Sequence, residues 1–149
     1  MRTDLRAGCK VNLYLDILGV RPDGYHELET LFYPVPEPHD ELTVLDGGDA
    51  PGARGPDGRA CADVGGGLRL WCSDASLETP ANIVAKAFRA YAGATGFAPV
   101  VAVLLAKGVP HGAGLGGGSA DAAAMLSWLE SQAGGKALGP ERLKALAAK

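Results

Sequence analysis

Hydrophobic and polar residues alternate along KVNLYLDIL, residues 10–18: Val11, Leu13, Leu15 and Ile17 fall on one side, Lys10, Asn12, Tyr14 and Asp16 on the other. A period of two predicts a strand with one buried face. RPDG, residues 21–24, puts proline at the second position of a turn, so a second strand through YHELETLFYPV is expected to return as a hairpin. DELTVLD, residues 40–46, predicts a third strand. Residues 47–67 carry eight glycines and almost nothing apolar to bury, which reads as a flexible surface insertion. LRLWC, residues 68–72, is a short strand. In TPANIVAKAFRAYAGATG, Thr79 is expected to cap a helix with Pro80 at its first position. Ile83, Ala87, Phe88 and Tyr91 form its apolar stripe, and Gly93 or Gly96 ends it. PVVAVLLA, residues 99–106, is continuously apolar and predicts a strand covered on both faces. A helix capped by Ser119 runs to about Gln132 with Met125, Leu126 and Leu129 inward, and a last helix begins near Pro140. The sum is an α+β domain with its strands concentrated first.

Composition narrows the function classes. A chain of 149 residues is one domain's length. The hydrophobic fraction of 47% and charged fraction of 21% are those of a globular protein. A net charge of −3 leaves no electrostatic footprint for nucleic acid. Cys9, Cys61 and Cys72 form an odd set without a C-x-x-C pair, which points to a reducing compartment and to no zinc site. The first twenty residues are broken by Lys10, Asn12 and Asp16, so neither a signal peptide nor a membrane span is predicted. A cytoplasmic location is expected.

The chemistry concentrates in GVPHGAGLGGGSADAAAML, residues 108–126, with five glycines in the seven positions 112–118. A nucleotide P-loop needs a lysine before Ser119, and none is there. Gly112, Gly114 and Gly117 satisfy G-x-G-x-x-G literally, but residues 107–111 separate them from the strand and no acidic strand end follows. A third reading needs only backbone: glycine N–H groups and the first-turn donors of the next helix converge on an anion, reinforced by the helix dipole. Ser119 then caps the helix and offers a hydroxyl to a phosphate or a phosphate-bound metal. Beside it stands the plain alternative of a glycine-rich connection in which Ser119 is only a cap.

PHGAGLGGGSADAAA resembles the phosphate-binding motif of the GHMP kinases, P-x-x-x-G-L-G-(S/G)-(S/G)-S-(A/S). KVNLYLDILGVRPDGYHELETLF is similar to the N-terminal signature of the branch of that family that phosphorylates a cytidine diphosphate sugar-alcohol in the non-mevalonate isoprenoid route. The two motifs stand in the right order about eighty residues apart. The resemblance covers the chain apart from residues 47–67. It implies a domain of a ribosomal-protein α+β type, with a mixed sheet packed on helices and a left-handed βαβ crossover. It implies ATP and Mg2+ as cofactors. By position, Lys10 matches the catalytic lysine and Asn12 the residue that orients the acceptor alcohol. An ammonium at Lys10 suits charge developing in phosphoryl transfer. Tyr25 and His26 match residues that recognise cytidine, and Phe32 lines the same pocket or the core. Asn82 and Lys107 match positions near adenine. Pro110, Gly112, Gly114, Leu115, Gly116, Gly117, Gly118 and Ser119 match the phosphate loop, with Ser119 as a metal ligand. His111 and His39 are read as solvated and without a role.

Two departures stand out. Ala120 occupies a position where many relatives carry a second serine, with Asp121 next to it adjusting the local charge. The family's general base, an aspartate in G-A-D-(V/I)-P, has no counterpart in residues 1–149. The resemblance therefore implies an N-terminal, ATP-binding domain without its C-terminal partner domain, and severely impaired turnover by these residues alone. The alternatives are a GHMP kinase for another small alcohol, or a non-catalytic nucleotide-binding piece that self-associates through the exposed domain interface.

Overall fold

A computed structural model of the chain describes residues 1–22 and 24–148; Asp23 of the expected RPDG turn lies outside them. The strands are β1 (Arg2–Val20), β2 (His26–Asp46), β3 (Ala62–Gly65), β4 (Leu68–Cys72) and β5 (Val101–Ala106). The helices are α1 (Ile83–Thr95), α2 (Gly117–Gln132) and α3 (Pro140–Ala147). The strands make one mixed sheet in the order β1-β2-β5-β4-β3, antiparallel except where β4 runs parallel to β5. The β4–α1–β5 segment is thus a βαβ unit set into an otherwise antiparallel sheet. The α+β expectation holds.

Side chains of β5 decide where the two cores sit. Val101, Val103 and Leu105 face one side with Phe88 and Tyr91 of α1 and Met125 and Leu129 of α2, all at most 1% exposed. Ala102 and Leu104 face the other, joining Ala50, Ala53, Cys61 and Trp71. The central strand is therefore covered on both faces, as its unbroken apolar run requires. The second cover comes from residues 47–67, which bury Ala50, Ala53 and Cys61 there. The reading that this stretch has almost nothing to bury is thereby corrected: its alanines and cysteine are small enough to look inert in sequence, yet they fill the back of the sheet. Gly55 N donates to Arg59 O at 2.9 Å and closes the turn beneath Trp71. The Trp71 indole donates to Asp57 Oδ1 at 3.0 Å, and the Arg59 guanidinium lies 5.4 Å from its ring centre.

Other expectations need correction. The second and third predicted strands are one strand, β2. The face of Leu13, Leu15 and Ile17 is 63%, 50% and 58% exposed rather than buried. Beyond the first third of β1 the sheet is only two strands wide and no helix packs on it. Register shifts at Ala7/Cys9, Asn12/Tyr14 and Ile17/Gly19 also break the strict alternation. Burial in β1 is confined to Ala7 and Cys9, near the end where β2 meets β5. Asn82, not Thr79, caps α1: its Oδ1 accepts from Val84 N at 2.8 Å, and Pro80 lies in the preceding turn. The buried stripe accordingly starts at Val84, and Ile83 is 41% exposed. Gly96, at φ 66°, ends the helix. Ser119 does not cap α2; Gly116 does, at φ 75°, and Ser119 sits exposed in the first turn. The three cysteines are free and buried.

Candidate active site at the glycine loop

The loop leaves β5 at Ala106 and turns into α2 at Gly117. Gly112, Gly114 and Gly116 have φ near 75°, a region closed to most side chains. At Gly116 and Gly117 packing adds a second reason. A methyl on Gly116 would lie 3.1 Å from Lys10 Cγ, and one on Gly117 would lie 2.9 Å from Val109 and 3.1 Å from Asp40 Oδ2. Lys10 N donates to Leu115 O at 2.8 Å, so the loop is strapped across β1. The N–H groups of Gly117, Gly118 and Ser119 have no partner within the helix and stand at its positive end. They open onto a cavity of about 490 Å³ walled also by Asn82, Ile83, Pro110 and His111.

On the far side of Gly116 lies a second cavity, about 510 Å³, lined by Lys10, Cys9, Pro34 and Pro36. Gly116 lines both. The Lys10 ammonium donates to Asn12 Oδ1 at 2.8 Å, and Asn12 stands opposite Phe32 in the β1–β2 register. Lys10, Asn12, Phe32 and the loop are thus neighbours. Tyr25 and His26 are not among them. His26 pairs with Val20, ten residues beyond Lys10, or roughly 30 Å of strand at about 3.3 Å per residue.

Residues 82–149 match the family model described as the GHMP kinases N terminal domain. Over 145 residues the chain is 50% identical to a 4-diphosphocytidyl-2-C-methyl-D-erythritol kinase of Solidesulfovibrio magneticus, covering 97% of this chain and 44% of that protein. Over 144 residues it is 40% identical to the protein of the same name from Lawsonia intracellularis, of which it covers 42%. A crystal structure of 4-(cytidine 5'-diphospho)-2C-methyl-D-erythritol kinase superposes with a TM-score of 0.68 at 34% identity, over 98% of this chain and 45% of that one. A homoserine kinase from Cytophaga hutchinsonii shares the fold, with a TM-score of 0.57 at 19% identity over 39% of its length.

Residues 82–149 of the chain thus carry the GHMP kinases N terminal domain. The chain spans about half the length of the curated relatives it matches.

Behind the loop a cation is packed among buried carboxylates. Lys107, matched by position to a residue near adenine, lines the cavity, and its ammonium is held between two buried carboxylates, Asp40 and Asp121, the latter at 2.8 Å. Asp40 Oδ1 accepts from Gly108 N at 2.7 Å and Val109 N at 2.8 Å. Burial works to raise the Asp40 carboxyl, but Lys107 and the two N–H groups hold it below the usual carboxylate range. Burial pushes the Asp121 carboxyl up to about 7, with Lys107 pulling it down and Asp40 adding to the rise. Its Oδ1 is buried without a partner. Asp40 was missed in the sequence, where it reads as the polar start of an alternating strand; no local signal marks it. Asn82 has a second task besides its place on the cavity wall. Its amide donates to Leu77 O at 2.9 Å while its carbonyl caps α1, so both ends are engaged within the protein although it lines the cavity. His111 is exposed on the cavity wall, and His39 lies 2.7 Å from Glu37.

Among the described residues no three His, Cys, Asp or Glu side chains converge as a metal cage. The exposed Ser119 hydroxyl beside unpaired N–H groups fits an ion carried in by phosphates, which keeps most of its ligands as phosphate and water oxygens. No helix among the described residues is long and apolar enough to cross a membrane.

Proposed function

We propose that this chain is the ATP-binding part of a kinase that transfers the γ-phosphoryl group of ATP to 4-diphosphocytidyl-2-C-methyl-D-erythritol, in the cytoplasm, as a step of non-mevalonate isoprenoid synthesis. One observation carries the reading: Gly116 is the shared wall between the cavity at the α2 N-terminus and the cavity that contains Lys10. Phosphates resting on the N–H groups of residues 117–119 would face Lys10 across a single glycine. Lys10, steered by Asn12, would stabilise charge on the transferring group, and Ser119 with the phosphates would hold Mg2+. When bound, the metal neutralises the phosphate charge. Tyr25 and His26 are read as the cytidine contacts, which requires the β1–β2 ribbon to lie along the acceptor; Phe32 sits nearer the reacting end.

The test is titration calorimetry with a non-hydrolysable ATP analogue and magnesium, against Gly114→Val as control. Gly114 has φ 73° and open space around it, so valine distorts the loop without a core collision. Binding by the parent chain alone is the expected result. Binding by neither protein overturns the nucleotide reading. For the acceptor, Tyr25→Ala with His26→Ala should abolish binding of the cytidine diphosphate sugar-alcohol; unchanged binding would favour a different small alcohol.

A second reading is favoured by the exposure of Leu13, Leu15, Ile17 and Leu31 on one ribbon. A non-catalytic nucleotide-binding piece would pair with a second copy there. Sedimentation as a monomer at high concentration removes that reading.

A further inference from the structure

The loop is anchored at both ends on one short piece of β2. Where it starts, Gly108 lies so close that a methyl there would meet His39 O at 2.2 Å. Where it ends, Gly117 lies against Asp40 Oδ2. Between them Asp40 is 0% exposed and divides its oxygens, one to the N–H groups of Gly108 and Val109, the other to Lys107. Lys107 passes the tie on to Asp121, one turn into α2. A fully buried carboxylate is costly to keep unless each lone pair has a donor. Three donors converge here, all from the segment that carries the loop. Asn, Ser or a hydrophobic residue would cap or fill the same space without tying three chain segments together.

We propose that Asp40 is the positioning residue of the phosphate cradle, fixing the spacing between the loop's start and the α2 N-terminus through Gly108, Val109 and Lys107. It touches no ligand. Lys107 serves the same end, since two of the three donors of its ammonium go to these carboxylates. The inference rests on the nucleotide reading for its consequence in binding, but the mechanical part stands apart from it.

The experiment uses Asp40→Asn, which keeps the shape but must turn an amide donor toward either Lys107 or the two N–H groups. Amide hydrogen exchange on the ligand-free chain is read at two places. Protection of residues 115–119 should fall at least ~10-fold, while the buried turn of α1 around Phe88 keeps its rate. A merely structural role would speed both together, or speed Gly108 and Val109 alone, and either result overturns the proposal. In parallel, affinity for the magnesium–ATP analogue should drop about tenfold. If the parent chain binds and the variant binds equally, the proposal also falls. If the parent chain binds no nucleotide, the functional reading fails while exchange still decides this one. Should Asp40→Asn not fold by circular dichroism, Lys107→Met, which cuts the other tie, is read by the same two measurements.

Discussion

Two stretches of this chain are glycine-rich, and the structure uses them in opposite ways. Residues 47–67 fold back on the sheet and enclose Trp71: a methyl on Gly55 would land 2.1 Å from the indole nitrogen. Glycine there makes room for a large side chain. Residues 112–118 enclose no large side chain at their tip, and close contacts are confined to Gly116 and Gly117. Gly112 and Gly114 have open space around them and are glycine because of their backbone angles, and the surface they leave is a cavity rimmed by N–H groups. Glycine content alone does not separate a packed cover from a ligand cradle. What separates them is whether a side chain or a void occupies the concave face.

That contrast can be broken by mutation. Trp71→Ala should cost most, about 3–5 kcal/mol, because it empties the cover that residues 47–67 form. Urea unfolding measures it, and a loss below 1 kcal/mol would mean the segment does not depend on the ring. Gly55→Ala should cost about 1–3 kcal/mol by forcing the turn off Trp71, with a matching change in tryptophan fluorescence. Gly114→Ala should cost only about 1 kcal/mol, through its positive φ, yet weaken the ATP analogue far more than that stability loss suggests. Equal stability losses at Gly55 and Gly114 would erase the distinction between cover and cradle. Smallest of all, Leu15→Ser on the exposed ribbon should change stability by less than about 0.5 kcal/mol. A larger effect would show that the ribbon is covered in solution, which sedimentation would then detect as association.

The corrected elements explain what was and was not legible. The β5 strand was readable because a continuous apolar run has one structural use, burial on both faces. The α1 boundary was misplaced because Thr79-Pro80 and Asn82 are both good starts, and only the bond from Val84 N to Asn82 chooses between them. The 47–67 cover was invisible because burying alanine, glycine and cysteine leaves no periodic signal. Within the site, the loop was found from residue type and spacing, and Lys10 only through the family resemblance. Asp40 was not, since its three donors come from residues sixty-seven to sixty-nine positions away.

By itself the sequence determined the α+β class, the central strand, the glycine loop before a helix and the resemblance to a kinase family. These depend on local backbone preference and on apolar periodicity, which are written in consecutive residues. The tertiary structure alone decided that Lys107 is neutralised by Asp40 and Asp121, that the ribbon beyond Cys9 is exposed on both faces, and that Gly116 divides two cavities. Each of those depends on which distant segments meet and on what is left uncovered when they do, and no window along the chain contains that information.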